Sequence, residues 1–208
     1  MSNWLIDGEE HSEYTFVFAH GAGAGMDHEF MQSVAKGLAF KGIRVIRFNF
    51  PYMIKRAEDG KRRPPDRAPK LLEAYQEVIE QVDAKQLVIG GKSMGGRMAS
   101  HLSEHKKVVG MACLGFPFHP PGKPENYKGE HLAELNKACL ILQGERDTFG
   151  KREEFPGFDL STSVSVEFIP DGDHSFKPRK SSGHTEQKNI ALAVEKLAAF
   201  IKGAIDEK

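Results

Sequence analysis

The sequence predicts an α/β fold in which a mostly parallel central sheet is flanked by helices on both faces. Short β-rich runs alternate along the chain with segments of helical period, and no internal repeat, heptad seam or long linker interrupts this pattern. The chain has 208 residues, of which 39% are hydrophobic. A chain of this size and composition can bury a sizeable core, so we expect residues 1–208 to form a single domain.

Six β-rich runs bounded by turn residues predict the strands: Tyr14–Ala19, Ile43–Phe50, Gln86–Gly90, Val108–Leu114, Ala138–Gln143 and Val164–Ile169. Apolar residues spaced three or four apart predict the helices between them. These residues are Phe30, Val34 and Leu38 behind a candidate N-cap at Asp27; Leu71, Tyr75, Val78, Ile79 and Val82; and Ile190, Ala193, Val194, Leu197 and Ile201. A short, glycine-led helix is predicted over Met94–Glu104.

The segment from Pro51 to Lys70 is predicted to be a long, irregular, basic loop. Lysine and arginine outnumber acidic residues in it, and Pro64, Pro65 and Pro69 disfavour a regular helix. The loop follows a strand end, where α/β proteins place their sites. It is therefore either a solvated charge cluster or a contact for a substrate or partner.

Charge and hydropathy exclude several classes of protein. The 29 Lys and Arg residues balance 29 Asp and Glu residues, so bulk charge does not indicate a nucleic-acid partner. The longest run without charged residues, Val108–Gly122, is interrupted by prolines and cannot span a bilayer. The first residues lack the pattern of a signal peptide. We expect a cytoplasmic protein with no membrane partner, in which Cys113 and Cys139 are reduced core residues.

The most informative stretch is Gly91-Lys92-Ser93-Met94-Gly95, which lies between an apolar strand and a helix. This is the setting of a nucleophile elbow, in which a strained turn raises the serine hydroxyl above the sheet. Side chains at positions 91 and 95 would collide with neighbouring backbone, so glycine suits both. Ser93 is therefore the candidate nucleophile.

The same stretch is compatible in part with two other motifs. A phosphate-binding P-loop would need glycine at position 86, where Gln86 stands, so that interpretation fails. The glycines could instead form only a tight turn, with Ser93 as an ordinary helix cap. An elbow, unlike a simple turn, requires an acid and a histidine elsewhere in the chain.

A serine hydrolase of this type presents an acid and then a histidine at the ends of later strands. Asp147 follows the strand ending at Gln143, and His174 follows the strand ending at Ile169. His174 would take the proton of Ser93, and Asp147 would orient the imidazole ring. The alternative acids are Glu145, Asp171 and Asp173.

A glycine-rich loop, His20-Gly21-Ala22-Gly23-Ala24-Gly25-Met26, follows the first predicted strand. Such a loop can place a backbone N–H beside the elbow, so the N–H groups of Ala22 and Met94 are the predicted oxyanion hole. A dinucleotide-binding loop would need a small residue where Met26 stands and an acid at the end of the next strand, which has Asn49. His20 is expected to hold the loop rather than to react.

With these motifs on His20-Gly21, Gly91–Gly95, Asp147 and His174, the chain resembles the α/β-hydrolase superfamily over nearly its whole length. Phe48–Tyr52, the basic segment after it and Gly90–Arg97 are similar to a subgroup of compact bacterial hydrolases. That subgroup is in turn similar to the hydrolase-like subunit of a chromatin-modifying complex and to a testis-expressed relative. The resemblance implies a lysine before the serine, a dienelactone-hydrolase-like core and little lid.

The predicted function is hydrolysis of small or externally anchored carboxylic esters or thioesters. The section between the fourth and fifth predicted strands is too short for a large lid and holds at most one short helix near Glu130–Asn136. Gly23, Phe118 and Phe176 are the predicted substrate contacts. The mechanism requires no cofactor and no metal. Nothing in the helical stripes indicates an oligomeric state.

The alternative prediction is a binding or scaffold protein on a hydrolase fold, in which the basic segment 51–70 holds an acidic partner. A scaffold has no reason to keep Ser93, Asp147 and His174 together, so the hydrolase is favoured.

Overall fold

A seven-stranded sheet forms the centre of the structure, a computed structural model that describes residues 3–203. The strands are β1 Leu5–Asp7, β2 Tyr14–Ala19, β3 Ile43–Phe48, β4 Gln86–Lys92, β5 Val108–Leu114, β6 Cys139–Gly144 and β7 Val164–Ile169. Their order is β1-β3-β2-β4-β5-β6-β7, with β1 antiparallel to β3 and the other pairs parallel. The predicted, mostly parallel α/β sheet is confirmed.

Helices cover both faces of the sheet. They are α1 Glu29–Phe40, α2 Pro51–Asp59, α3 Ala68–Gln81, α4 Met94–Ser100 and α5 Glu186–Gly203. Successive strand residues point to opposite faces, so Phe16 and Phe18 pack with α1 and α5, whereas Val17 packs with α2 and α3. Two apolar cores, one on each face, hold the sheet.

Several element boundaries differ from the sequence prediction. The edge strand β1 was missed because it has only three residues and pairs with β3 alone. Strand β4 runs two residues beyond Gly90, because Gly91 and Lys92 continue the pairing with β5. The predicted N-cap at Asp27 is wrong: His28 precedes α1, and its Nδ1 accepts the N–H of Phe30 at 3.3 Å.

The prediction of one irregular loop over Pro51–Lys70 holds for residues 60–67 and is wrong for the residues on either side, which are helical. Helix α2 starts at Pro51 and ends where Gly60 adopts a left-handed φ of 70°, and α3 starts at Ala68 with Pro69 in its first turn. Proline is tolerated in the first turn of a helix because the N–H it lacks has no partner there. Asp66 also ties the two helices together by accepting the N–H of Tyr52 at 2.8 Å.

The segment between β5 and β6 carries no lid. Its described residues form loops and a 3₁₀ turn at Glu130–Glu134, shorter than the predicted helix over Glu130–Asn136. Further 3₁₀ turns lie at Arg152–Gly157 and Lys180–Ser182. The carboxyl edge of the sheet is therefore not covered by an inserted cap.

The sheet topology determines which loops meet at this edge. Strand β2 lies between β3 and β4, so the connections after β2 and β4 leave the same edge side by side. Open α/β sheets bind ligands at such a change of strand order. None of the helices within residues 3–203 is both long enough and apolar enough to cross a membrane.

Candidate active site

Ser93 lies in a sharp turn between β4 and α4. Its φ of 51° and ψ of −116° fall in a strained region for a residue with a side chain. A Cβ at Gly91 would lie 2.6 Å from the carbonyl oxygen of Ala19, and one at Gly95 would lie 2.5 Å from the same atom. The predicted need for glycine at both positions is confirmed.

Ser93, His174 and Asp147 form one hydrogen-bonded chain. Nε2 of His174 lies 2.8 Å from Oγ of Ser93, and Nδ1 of His174 lies 2.8 Å from Oδ2 of Asp147. A carboxylate only accepts hydrogen bonds, so Nδ1 carries the proton and Nε2 presents a lone pair to the serine hydroxyl. In this geometry the ring can take the proton of Ser93.

Asp147 is held by further donors. Its side chain is fully buried, Oδ1 accepts the N–H of Phe149 at 2.9 Å, and Oδ2 also accepts Nε2 of Gln143 at 3.1 Å. The side-chain amide oxygen of Gln143, Oε1, in turn accepts the N–H of Phe116. Sequence reasoning did not identify Gln143 or Phe149.

The alternative acids are engaged elsewhere. Glu145 pairs with Arg152 and accepts the N–H of Asp171. Asp171 pairs with Arg179 and Arg146, and Asp173 accepts backbone N–H groups of its own loop. Of the four candidate acids, Asp147 is the one hydrogen-bonded to the ring.

The His174 ring is partly enclosed. Phe149 stacks on it with ring centroids 4.2 Å apart. Burial lowers the pKa of His174 below its usual value of 6.5, the hydrogen bond to Asp147 opposes this shift, and the positive charge of Lys92 adds to it. The ring is therefore neutral near pH 7.

Two side chains of α2 hold the carbonyl groups of the loop after β2. The hydroxyl of Tyr52 on α2 donates to the carbonyls of Gly21 and Ala22 at 3.2 and 2.9 Å, and Arg56 donates to that of Gly23 at 2.9 Å. Ala22 lines the cavity beside Ser93. The amide of Met94, the first residue of α4, lacks an acceptor within its helix. Helix α2, predicted as loop, thus supports the predicted oxyanion loop.

His20 holds the start of this loop, and Arg47 in β3 and Asn49 just after β3 hold its end. Nε2 of His20 accepts the N–H of Phe50, so Nδ1 donates to the carbonyl of Gly21 at 2.6 Å. Burial lowers the pKa of His20 to about 4, which keeps the ring neutral. Asn49 accepts the N–H of Met26, and Arg47 donates to the carbonyl of Met26. His20 is structural, as expected.

A cavity of about 360 Å³ opens beside Ser93. Of the three predicted substrate contacts, Gly23 lines it. Phe118 does not, because it is fully buried in an aromatic cluster with Phe116 and Phe158. Phe176 is also fully buried, beneath Phe30.

These two predictions of substrate contact are therefore corrected, because both rings fill the core. The large apolar and aromatic side chains that line the cavity are those of Phe30, Met31 and Phe149. The first two lie on α1, where helical period marks core and cavity residues alike.

Among residues 3–203, no group of three or more histidine, cysteine or acidic side chains is placed to hold a metal ion.

Residues 12–202 of the chain match the protein family described as alpha/beta hydrolase domain.

Solved structures of similar fold include an alpha-beta serine hydrolase homologue from Coxiella burnetii, with 18% sequence identity and a TM-score of 0.68 over 94% of this chain and 89% of that one. Est1E from Butyrivibrio proteoclasticus, solved with ferulic acid bound, is 16% identical, with a TM-score of 0.71 over 97% and 95%. A serine hydrolase without a lid from Xanthomonas campestris is 17% identical, with a TM-score of 0.65 over 98% and 87%.

Proposed function

Because the chain belongs to the alpha/beta hydrolase family, we propose that it is a serine hydrolase that cleaves carboxylic esters or thioesters. The observation that carries this proposal is the hydrogen-bonded chain from Asp147 through His174 to Ser93 at the mouth of a cavity. Nucleophile, base and orienting acid stand in the order and at the distances that acyl transfer requires.

In the first half of the reaction, Oγ of Ser93 attacks the acyl carbon and His174 Nε2 takes the hydroxyl proton. The carbonyl oxygen becomes an oxyanion, which accepts hydrogen bonds from the N–H groups of Ala22 and Met94. Collapse of this intermediate breaks the bond to the leaving oxygen or sulfur, which receives the proton from His174. An acyl-enzyme on Ser93 remains.

In the second half, a water molecule gives a proton to His174 and attacks the acyl carbon. The bond to Ser93 Oγ then breaks, Oγ recovers the proton from His174, and the carboxylic acid leaves. Asp147 stabilises the imidazolium in both halves without itself being protonated.

The cavity supports small or externally anchored acyl substrates. Its volume of about 360 Å³ lies near the lower end for ligand pockets, and no lid formed by residues 3–203 encloses it. Phe30, Met31 and Phe149 supply an apolar wall for a short acyl group. A serine nucleophile also favours acyl chemistry over the dehalogenase and epoxide-hydrolase reactions that use a carboxylate.

The proposal is tested by labelling purified protein with a fluorophosphonate probe and by a panel of acyl esters and thioesters graded in chain length. We expect labelling on the peptide that contains Ser93 and highest activity on short acyl chains. A folded protein that neither labels nor hydrolyses any of the panel would contradict the proposal. Activity rising sharply on long-chain emulsions would contradict the substrate class.

The alternative of an acidic partner held by segment 51–70 receives less support. Arg56 bonds to the Gly23 carbonyl, Arg63 pairs with Asp59, and Lys70 pairs with Asp66. Several of the basic side chains that suggested a partner are therefore engaged within the protein.

We expect kcat/KM on a neutral ester to stay level from neutral pH to below pH 6.5 and to fall at lower pH. His174 must be neutral to accept a proton, and its pKa is lowered by burial. Activity is therefore lost only as the pH falls through that lowered pKa. The rate is measured across the acid range, with a second assay at neutral pH after each incubation to reveal irreversible unfolding. A reversible loss centred above pH 6.5 would contradict this prediction.

Replacing Tyr52 by phenylalanine is expected to lower kcat about threefold to tenfold, because the Ala22 carbonyl loses its donor and the Gly21 carbonyl keeps only the one from His20 Nδ1. KM should change little, since the ring itself stays in place. Steady-state kinetics measure the effect. Tyr127→Phe is the matched control, because that hydroxyl is buried without a hydrogen-bond partner among the described residues. Equal rates in the two variants would contradict the supporting role of Tyr52.

A further inference from the structure

Lys92, the residue before Ser93, reaches from the end of β4 to the loop after β7. Its Nζ donates a hydrogen bond to the backbone carbonyl of His174. The side chain is buried, with 8% of its surface exposed. Few lysines are buried to this extent without a specific partner.

The contact between Lys92 and His174 passes next to Gly115, at the end of β5. Strands β5 and β6 separate β4 from β7, so the contact joins the end of β4 to the loop after a strand that is not its neighbour in the sheet. At the end of β5, Gly115 has a φ of 69°, and a Cβ there would lie 3.0 Å from both Lys92 Nζ and the His174 carbonyl oxygen. A side chain at position 115 would therefore crowd both atoms of the contact between Lys92 and His174.

We propose that Lys92 is a positioning residue that ties the backbone of His174 to the strand that carries Ser93. This inference rests on the proposed function and adds a residue to its machinery. The His174 ring is held by Asp147 and faces Ser93, whereas its backbone belongs to a loop at the edge of the sheet. The Lys92 contact joins nucleophile and base across this distance.

The positive charge of Lys92 also affects the pKa of His174. Burial lowers the pKa of Lys92 to about 8, while the negative charges of Asp147 and Asp173 oppose the shift. On the α1 side, Nζ faces the Phe30 ring, 5.4 Å from its centroid. A positive charge so close to His174 lowers the pKa of that ring. Lys92 thus also helps to keep the base neutral.

The test compares Lys92→Met with Lys107→Met. Lys107 Nζ also donates to backbone carbonyls, those of Ile79, Glu80 and Val82, but it lies beside the start of β5, at the edge of the sheet opposite Ser93. We expect Lys92→Met to slow fluorophosphonate labelling and to lower kcat by about tenfold or more, since a charge-assisted hydrogen bond is lost. KM should change little. Lys107→Met should label at the wild-type rate.

The pKa of His174, followed by NMR of the imidazole, is a readout that a merely structural lysine would not move. It should rise in Lys92→Met, because a nearby positive charge is removed, and stay unchanged in Lys107→Met. Lys92→Gln serves if the methionine variant does not fold. It keeps an N–H donor without the charge, so its labelling should be intermediate and its His174 pKa raised.

Wild-type labelling rates together with an unshifted His174 pKa in the Lys92 variants would overturn the inference and leave the proposed function intact. If the wild type neither labels nor hydrolyses any of the panel, but the Lys92 variants still have a raised His174 pKa, the proposed function is overturned and the contact is established.

Discussion

Replacing Ser93 by alanine is expected to abolish fluorophosphonate labelling and to lower kcat on the best ester about 10⁴- to 10⁶-fold. The variant removes the atom that forms the acyl-enzyme, and no other hydroxyl stands 2.8 Å from Nε2 of His174 among the described residues. Stability should not fall, since the strained backbone at Ser93 is no worse for alanine.

His174→Ala should cost about as much as Ser93→Ala, and the double variant little more, because residues that act as one unit are not additive. Ser100→Ala is the matched control: Ser100 is a buried serine on α4 whose hydroxyl bonds to the Arg97 carbonyl and to His131. Near wild-type activity in Ser93→Ala, or a loss in Ser100→Ala as large as in Ser93→Ala, would contradict the assignment of the nucleophile.

Replacing Asp147 by asparagine is expected to lower kcat about 10³- to 10⁴-fold, by analogy with the orienting acid of other serine hydrolases. Three donors, from His174, Phe149 and Gln143, converge on the two carboxylate oxygens. An amide NH₂ in place of one oxygen would face one of these donors. Either the ring adopts the wrong tautomer or a buried donor loses its acceptor, which costs about 1–3 kcal/mol.

Kinetics and thermal unfolding of Asp147→Asn separate these two effects. Glu145→Gln is the control, because Gln can still accept the Asp171 N–H that Glu145 accepts. We expect this control to retain activity within about twofold, since a substitution near the protein surface that keeps its hydrogen bond changes stability little. A larger loss in Glu145→Gln than in Asp147→Asn would show that the acid has been misassigned.

Much of this site could be predicted from the sequence because its parts follow strands. Ser93, Asp147 and His174 each come just after an apolar run, and parallel strands deliver their carboxyl ends to one edge of the sheet. Local sequence therefore predicts their meeting without knowledge of any long-range contact. The glycines at 91 and 95 could be predicted from the local elbow motif, although the backbone atoms that exclude a Cβ at position 95 belong to Ala19 and His20, at the end of β2 and just after it.

Burial could not be predicted in the same way. An aromatic residue after a strand can line a cavity or fill the core, and Phe118 and Phe176 fill the core because other rings surround them. The prediction for segment 51–70 is wrong at its ends because a proline can also begin a helix: Pro69, which was expected to disfavour one, lies in the first turn of α3, and Pro51 is the first residue of α2.

The sequence by itself thus determined the α/β fold, the elbow and the order in which nucleophile, acid and base reach one edge, because periodicity and strand ends are local properties of the chain. Only the tertiary structure decided which donors hold Asp147, that Tyr52 and Arg56 support the oxyanion loop, and that Lys92 reaches His174. Those contacts join residues far apart in the chain. Their geometry depends on how the helices pack and how neighbouring strands align.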